Sequence, residues 1–156
     1  MGGPDEVRAG SRALYFAYGS NMSSARMHSR IPAARVRGVG CVAGFHLAFG
    51  KLGADGTGKA NLAVQSGCLV WGVLWGFPES EWPSLDRAEP GYARRDVEAV
   101  CEGARVRAQT YVATLPADAP LKVSAEYARL VLEGAREHGL PEEHLARIAS
   151  LASGAD

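Results

Sequence analysis

The chain has 156 residues, of which 47% are hydrophobic and 22% charged, and its 17 basic and 17 acidic side chains cancel. That length suits one domain with a sizeable core, while a neutral chain has no long-range pull on nucleic acid or anionic lipid. No apolar stretch is long enough to span a bilayer, and Met1–Arg12 lacks the apolar run of a secretion signal, so the cytoplasm is the expected location.

Residues 1–11 are glycine-rich, polar and unpatterned, and read as a flexible tail before a single domain over 12–156. Leu14–Tyr18 is apolar and aromatic, as in a strand buried on both faces. It breaks into Gly19-Ser20-Asn21, and Ser23–His28 then begins a helix, capped by Asn21 or Ser23 and ending near Ile31-Pro32. Strand, glycine turn and helix start together aim backbone N–H groups at one spot, suited to an anion or a developing oxyanion.

From Val39 the period becomes two: Val39, Cys41, Ala43, Phe45, Leu47 and Phe49 share one face, with Gly40 and Gly44 on the other. A long strand with internal glycines favours a curved, barrel-like sheet. Gly50–Lys59 reads as a loop, Ala60–Val64 and Leu69–Gly76 as two further strands. Pro78–Glu89 reads as helix broken at Pro83, with Glu89 at its end because a residue before proline avoids the helical region. Tyr92–Cys101 and Ala104–Ala113 form a hairpin across Glu102-Gly103. Ser124 caps a helix that Gly139 stops, and Pro141 opens a last one. The order specifies an α+β fold, a small, mostly antiparallel β-barrel flanked by α-helices.

The chemical inventory is short. Cys41, Cys68 and Cys101 are far apart, lack metal-ligand spacing and read as small core residues. Ser20 needs a positioned base to act as a nucleophile. None of His28, His46, His138 and His144 sits in a partner motif, and His46, His138 and His144 read as solvated. Trp71 and Trp75 read as core. Glu89 is the unusual acid: it ends a helix, where the dipole disfavours negative charge, among apolar neighbours. Both effects raise a carboxyl pKa toward the range useful for proton transfer. Asp86 shares roughly that face, and spacing alone does not mark either acid as catalytic.

The string Tyr15-Phe16-Ala17-Tyr18-Gly19-Ser20-Asn21-Met22 resembles the signature of the gamma-glutamylcyclotransferase family, which includes gamma-glutamylamine and antibiotic-deprotecting relatives. Ala60-Asn61-Leu62, Val70–Trp75, Ser84–Glu89, Thr110–Val112 and Gly134–Pro141 are similar to further family stretches in the same order, so the resemblance runs from about Ala13 to Leu151. It implies cyclisation of a gamma-glutamyl amide to 5-oxoproline and a free amine, a non-hydrolytic C–N cleavage in which the substrate's own α-amino group attacks. It implies Glu89 as the proton-transferring residue, Tyr15, Phe16, Ala17, Tyr18, Gly19, Ser20 and Asn21 as the cradle for the glutamyl group, and Tyr111 as a donor to substrate. It implies no metal and no organic cofactor. The only partner implied is the small-molecule substrate, with no nucleic acid and no membrane, and a homodimer is left open. The family's alternatives are removal of a gamma-glutamyl protecting group from a biosynthetic intermediate, or a non-catalytic binding module on the same fold. One departure is visible: Glu89-Pro90-Gly91-Tyr92 is more compact than in many relatives, which bears on the pocket wall.

Overall fold

β1 (Arg12–Ala17) lies antiparallel to a far longer strand, and pairs on its other edge in parallel with the last strand through Tyr15 and Gln109. A computed structural model describes residues 11–153; all but Ser11 of the tail expected over residues 1–11, and the last three positions, lie outside the described residues. The strands are β1, β2 (Arg35–Leu52), β3 (Gly58–Pro78), β4 (Tyr92–Cys101) and β5 (Ala104–Ala113), and they close in the order β1-β3-β2-β4-β5. Every pairing except β1–β5 is antiparallel, so the barrel is of the expected kind.

β2 does not keep one face throughout. Gly40 and Val42 are buried in its first half, Phe45, Leu47 and Phe49 in its second. A register shift between Ala43 and Phe45 moves the side-chain alternation by one, and Gly44 carries it at φ 88°. The single alternation from Val39 to Phe49 is corrected accordingly. The expected Gly50–Lys59 loop shrinks to residues 53–57, since both strands run into it, and the two short strands expected after it are one, β3. β3 runs on through the polar stretch Gln65–Gly67, although its pairing with β2 stops at Val64–Phe45 and resumes only at Leu69–Ala43.

The helices are α1 (Ser24–Arg30), α2 (Trp82–Ala88), α3 (Ala125–Glu137) and α4 (Glu142–Ser153). Ser23 caps α1 by accepting from Arg26 N at 3.3 Å, and Ser124 caps α3 by accepting from Tyr127 N at 3.1 Å. Asn21 caps nothing; it lies in a 3-10 turn, Ser20–Met22. A second 3-10 turn, Glu79–Glu81, precedes α2, so the break expected at Pro83 falls one residue before Trp82 and Pro83 sits in the first turn of α2. Glu102 and Gly103 take φ 51° and 79°, the left-handed pair of a tight hairpin.

α3 rests directly on the Ser20–Met22 turn. A Cβ at Gly134 would lie 2.6 Å from Ser23 N and 2.8 Å from the Met22 carbonyl carbon, so only glycine permits this approach. Phe16, Met22, Trp75 and Phe77 are wholly buried around this junction. Six residue assignments change. His144 is buried on α4 and His138 packs edge-on against Trp75 at 5.7 Å, so neither is solvated. His46 is half-buried. The three cysteines are free and half-buried rather than core.

Candidate active site

The turn after β1 and the end of α2 meet although their side chains are 68 residues apart in sequence. α2 stops at Ala88, and Glu89 is its C-cap at φ −122°, ψ 60°, a non-helical conformation consistent with the proline that follows. The side chain of Glu89 thereby reaches Asn21, whose Nδ2 donates to Glu89 Oε2 at 3.1 Å and lies 3.0 Å from the Tyr15 hydroxyl. Arg30 Nε donates to Asn21 Oδ1 at 3.1 Å and lies 3.9 Å from Glu89 Oε2. Trp75 Nε1 donates to the Asn21 carbonyl at 3.0 Å. One asparagine is thus held through its backbone by the core and spends both ends of its amide on the site.

Glu89 has only 15% of its side-chain surface exposed. Burial pushes its carboxyl above the usual range; the Asn21 bond and then Arg30, Arg26 and Lys51 pull the other way without cancelling that rise. The result is an acid whose charged form is tolerated and whose neutral form is accessible.

Tyrosines wall the cleft. Tyr15, Tyr18, Gly19, Ser20 and Asn21 form one side; Glu89, Tyr92, Tyr111, Tyr127 and Ala60 form the rest. Burial raises the hydroxyl pKa of all five tyrosines, with the charge of Glu89 adding to this at Tyr15, Tyr18, Tyr92 and Tyr127, so they remain neutral donors. Ala60 is gripped at both polar atoms: its N donates to the Tyr127 hydroxyl at 3.0 Å and its O accepts from Tyr92 at 2.7 Å. Tyr18 donates to the Tyr111 carbonyl at 2.6 Å. In the 3-10 turn Met22 N and Ser23 N bond back to Gly19 O and Ser20 O at 3.1 Å each, which leaves the first-turn amides of Ser20 and Asn21 without an intrahelical acceptor.

Such a site, a desolvated carboxyl bordering the same cleft as a turn with unspent backbone donors and a wall of neutral hydroxyls, suits proton transfer at an acyl centre. A sequence model of the AIG2-like family matches residues 69–148. The chain is 33% identical to the gamma-glutamylcyclotransferase of Homo sapiens over 159 aligned residues, which cover 96% of this chain and 81% of that protein. It is 32% identical to that of Mus musculus, covering 91% of this chain and 80% of that one. The chain belongs to the gamma-glutamylcyclotransferase family. It is an enzyme of the cyclotransferase type. A solved structure of a gamma-glutamyl cyclotransferase superimposes on it with a TM-score of 0.83 at 30% sequence identity, over 90% of this chain and 88% of that chain.

In this cyclotransferase the cleft gathers Glu89, Tyr15, Tyr18, Gly19, Ser20, Asn21 and Tyr111. Phe16 and Ala17 do not line it: both are wholly buried, and they support the strand rather than the cleft surface. Tyr111 lines the cleft, but its hydroxyl donates to Asp86 Oδ1 at 2.6 Å, so its one proton is already committed. Among the described residues no histidine lines the cleft, so Ser20 has no imidazole base there. Sequence reasoning missed Tyr92, Tyr127, Ala60 and Arg30 as site residues. Tyr127 passes for one of the apolar positions of α3; Tyr92 passes for a residue of the polar face of β4. Trp75 was legible as core, yet its N–H also holds the Asn21 backbone. The one available signal is that a tyrosine on an otherwise apolar face needs a partner for its hydroxyl.

Proposed function

We propose that this enzyme cyclises a gamma-glutamyl amide, releasing 5-oxoproline and a free amine, with Glu89 as both base and acid. The observation that carries the reading is that Glu89 and the Gly19–Asn21 turn border one cleft and are joined by the 3.1 Å Asn21–Glu89 bond.

The glutamyl group folds back so that its α-nitrogen faces its own γ-carbonyl carbon. Holding that geometry supplies much of the rate, because attack within one molecule avoids the entropy of bringing two together. Glu89 accepts a proton from the α-ammonium as the new C–N bond forms. The carbonyl oxygen becomes negative and meets the first-turn amides of Ser20 and Asn21. Collapse breaks the old C–N bond: Glu89 returns that proton to the departing nitrogen and then relays the second proton, which the ring nitrogen sheds to become a lactam N–H, so the amine leaves as an ammonium. The lactam and the amine together contain every atom of the substrate, so no water is consumed. A carboxyl of raised pKa is suited to both transfers, since the rise makes its carboxylate a stronger base than an ordinary glutamate.

The test is direct. Incubation with gamma-glutamyl-alanine is expected to yield 5-oxoproline and alanine in equal amounts. Glutamate in place of 5-oxoproline would mean hydrolysis and overturn the mechanism. An active Glu89→Gln protein would remove the assignment of the acid.

A further inference from the structure

Trp75 lies on β3 opposite Tyr15 of β1 and Val36 of β2, so strand pairing on both sides fixes its backbone. Its side chain is wholly buried, yet the indole N–H has to find an acceptor. That acceptor is the Asn21 carbonyl, 54 residues away in sequence and 3.0 Å away in space. The indole has little room to turn. His28 of α1 packs edge-on against it at 5.6 Å and 75°, and His138, the C-cap of α3, does the same at 5.7 Å and 85°. Both imidazoles are themselves tied. His28 Nε2 donates to the Ala34 carbonyl at 2.9 Å, and His138 Nε2 lies 3.4 Å from Ser24 Oγ and 3.8 Å from Glu137 Oε1. Asn21 needs such a hold. It sits in a single 3-10 turn, and its amide meets Glu89 Oε2 and Arg30 Nε at once, each at 3.1 Å. The two bonds inside the turn end on the Gly19 and Ser20 carbonyls, so neither of them ties down the carbonyl of Asn21.

We propose that Trp75 is a positioning residue for the proton transfer: its indole N–H, braced by His28 and His138, fixes the Asn21 peptide and so keeps the Asn21 amide on Glu89. The inference rests on the reading of Glu89 as base and acid. Trp75 does not line the cleft, so it acts through Asn21 alone. Without the N–H, a buried carbonyl loses its donor and the turn is free to rotate the amide off the carboxylate. The Asn21 bond is the largest influence opposing the burial of Glu89, so a looser bond lets that carboxyl rise further. The other charges that reach Glu89 are Arg30 and Arg26 from α1 and Lys51 from β2, and the hydroxyls of Tyr15, Tyr18, Tyr92 and Tyr127 surround it. The single N–H of Trp75 goes to Asn21 and to none of these.

Trp75→Phe keeps an aromatic ring and removes the N–H. With gamma-glutamyl-alanine it is expected to lower kcat about tenfold, to leave KM within about twofold, and to move the acid limb of the kcat–pH profile to higher pH. In an Asn21→Ala background the same substitution is expected to lower kcat by less than about twofold more, because no amide is left to misplace. Benzothienylalanine at position 75 keeps the bicyclic outline and exchanges the N–H for sulfur; it is expected to act as Trp75→Phe does, and it replaces that variant in every arm should the phenylalanine protein not fold. The carboxyl 13C resonance of Glu89, assigned by its absence from Glu89→Gln, is expected to titrate at higher pH in either variant than in wild type. Losses that multiply in the double variant, or a Glu89 resonance that titrates as in wild type, reduce Trp75 to packing and overturn the inference. If wild type releases no 5-oxoproline, the cyclisation reading fails instead. The Glu89 resonance then decides the role of Trp75 alone: a move to higher pH supports it, and no move overturns it.

Discussion

Asp86 and Glu89 lie three residues apart at the end of α2, and their surroundings are opposite. Asp86 has 40% of its side-chain surface exposed and is fully occupied: Arg94 grips it with two nitrogens at 3.0 and 3.2 Å, and Tyr111 donates to it at 2.6 Å. Glu89 has 15% exposed, and its carboxylate meets one neutral amide at 3.1 Å and one guanidinium at 3.9 Å. An acid gripped by an arginine fork and a hydroxyl has its lone pairs already spent on partners. A buried acid with sparse compensation is poised to exchange a proton. The helix ends between them, and that ending decides which carboxyl faces the cleft.

The comparison is broken most severely at Glu89. Glu89→Gln is expected to lower kcat about a thousandfold or more with little change in KM, measured as 5-oxoproline release. The same variant tests the pKa argument. Because burial raises Glu89 above its ordinary 4.5, the folded state holds this proton to higher pH than the unfolded chain does. Wild-type stability is therefore lost as pH rises above 4.5, and the Gln variant escapes that loss. Melting curves at about pH 4 and about pH 7 are expected to show the variant gaining on wild type at the higher pH; parallel curves would deny the raised pKa.

Asn21→Ala comes next, with a loss of about ten- to a hundredfold in kcat. It removes the hydrogen bond that lowers the Glu89 pKa, so the acid limb of the kcat–pH profile moves to higher pH. A fall in rate with an unmoved limb would reduce Asn21 to packing.

A smaller effect, on stability alone, lies far from the cleft. His144 is buried on α4 with Nε2 unpartnered, and burial lowers its pKa to about 4. The unfolded chain takes up that proton first, so stability is lost as pH falls from 6.5 toward 4. His144→Leu is expected to retain on the order of 2 kcal/mol that wild type loses over that interval, read by denaturant titration. Smallest of all is Asp86→Asn: less than tenfold in kcat and about 1 kcal/mol in stability, since it weakens a partly exposed pair and leaves Glu89 untouched. A loss comparable to that of Glu89→Gln would erase the distinction between the two acids.

Much of this was legible locally. The strand, turn and capped helix at residues 14–30, the hairpin at Glu102-Gly103 and the helix end at Glu89 follow from glycine, proline and capping residues whose preferences act within a few positions. The face switch in β2 was not legible, because alternation read along one strand cannot reveal a bulge set by pairing with β3. Nor were Tyr92 and Tyr127, whose hydroxyls meet across the Ala60 backbone only once β3, β4 and α3 are assembled.

By itself the sequence determined most of the elements and their order, the family to which the chain belongs and the two segments that carry its chemistry. It also indicated that Glu89 would end a helix, since the proline after it disfavours the helical region there. Tertiary structure decided which donors face that acid, which of two neighbouring carboxyls is desolvated, and where Lys51 and Arg26 come to lie. These are properties of groups distant along the chain, and their energies depend on burial and separations of a few ångströms that exist only when the barrel closes.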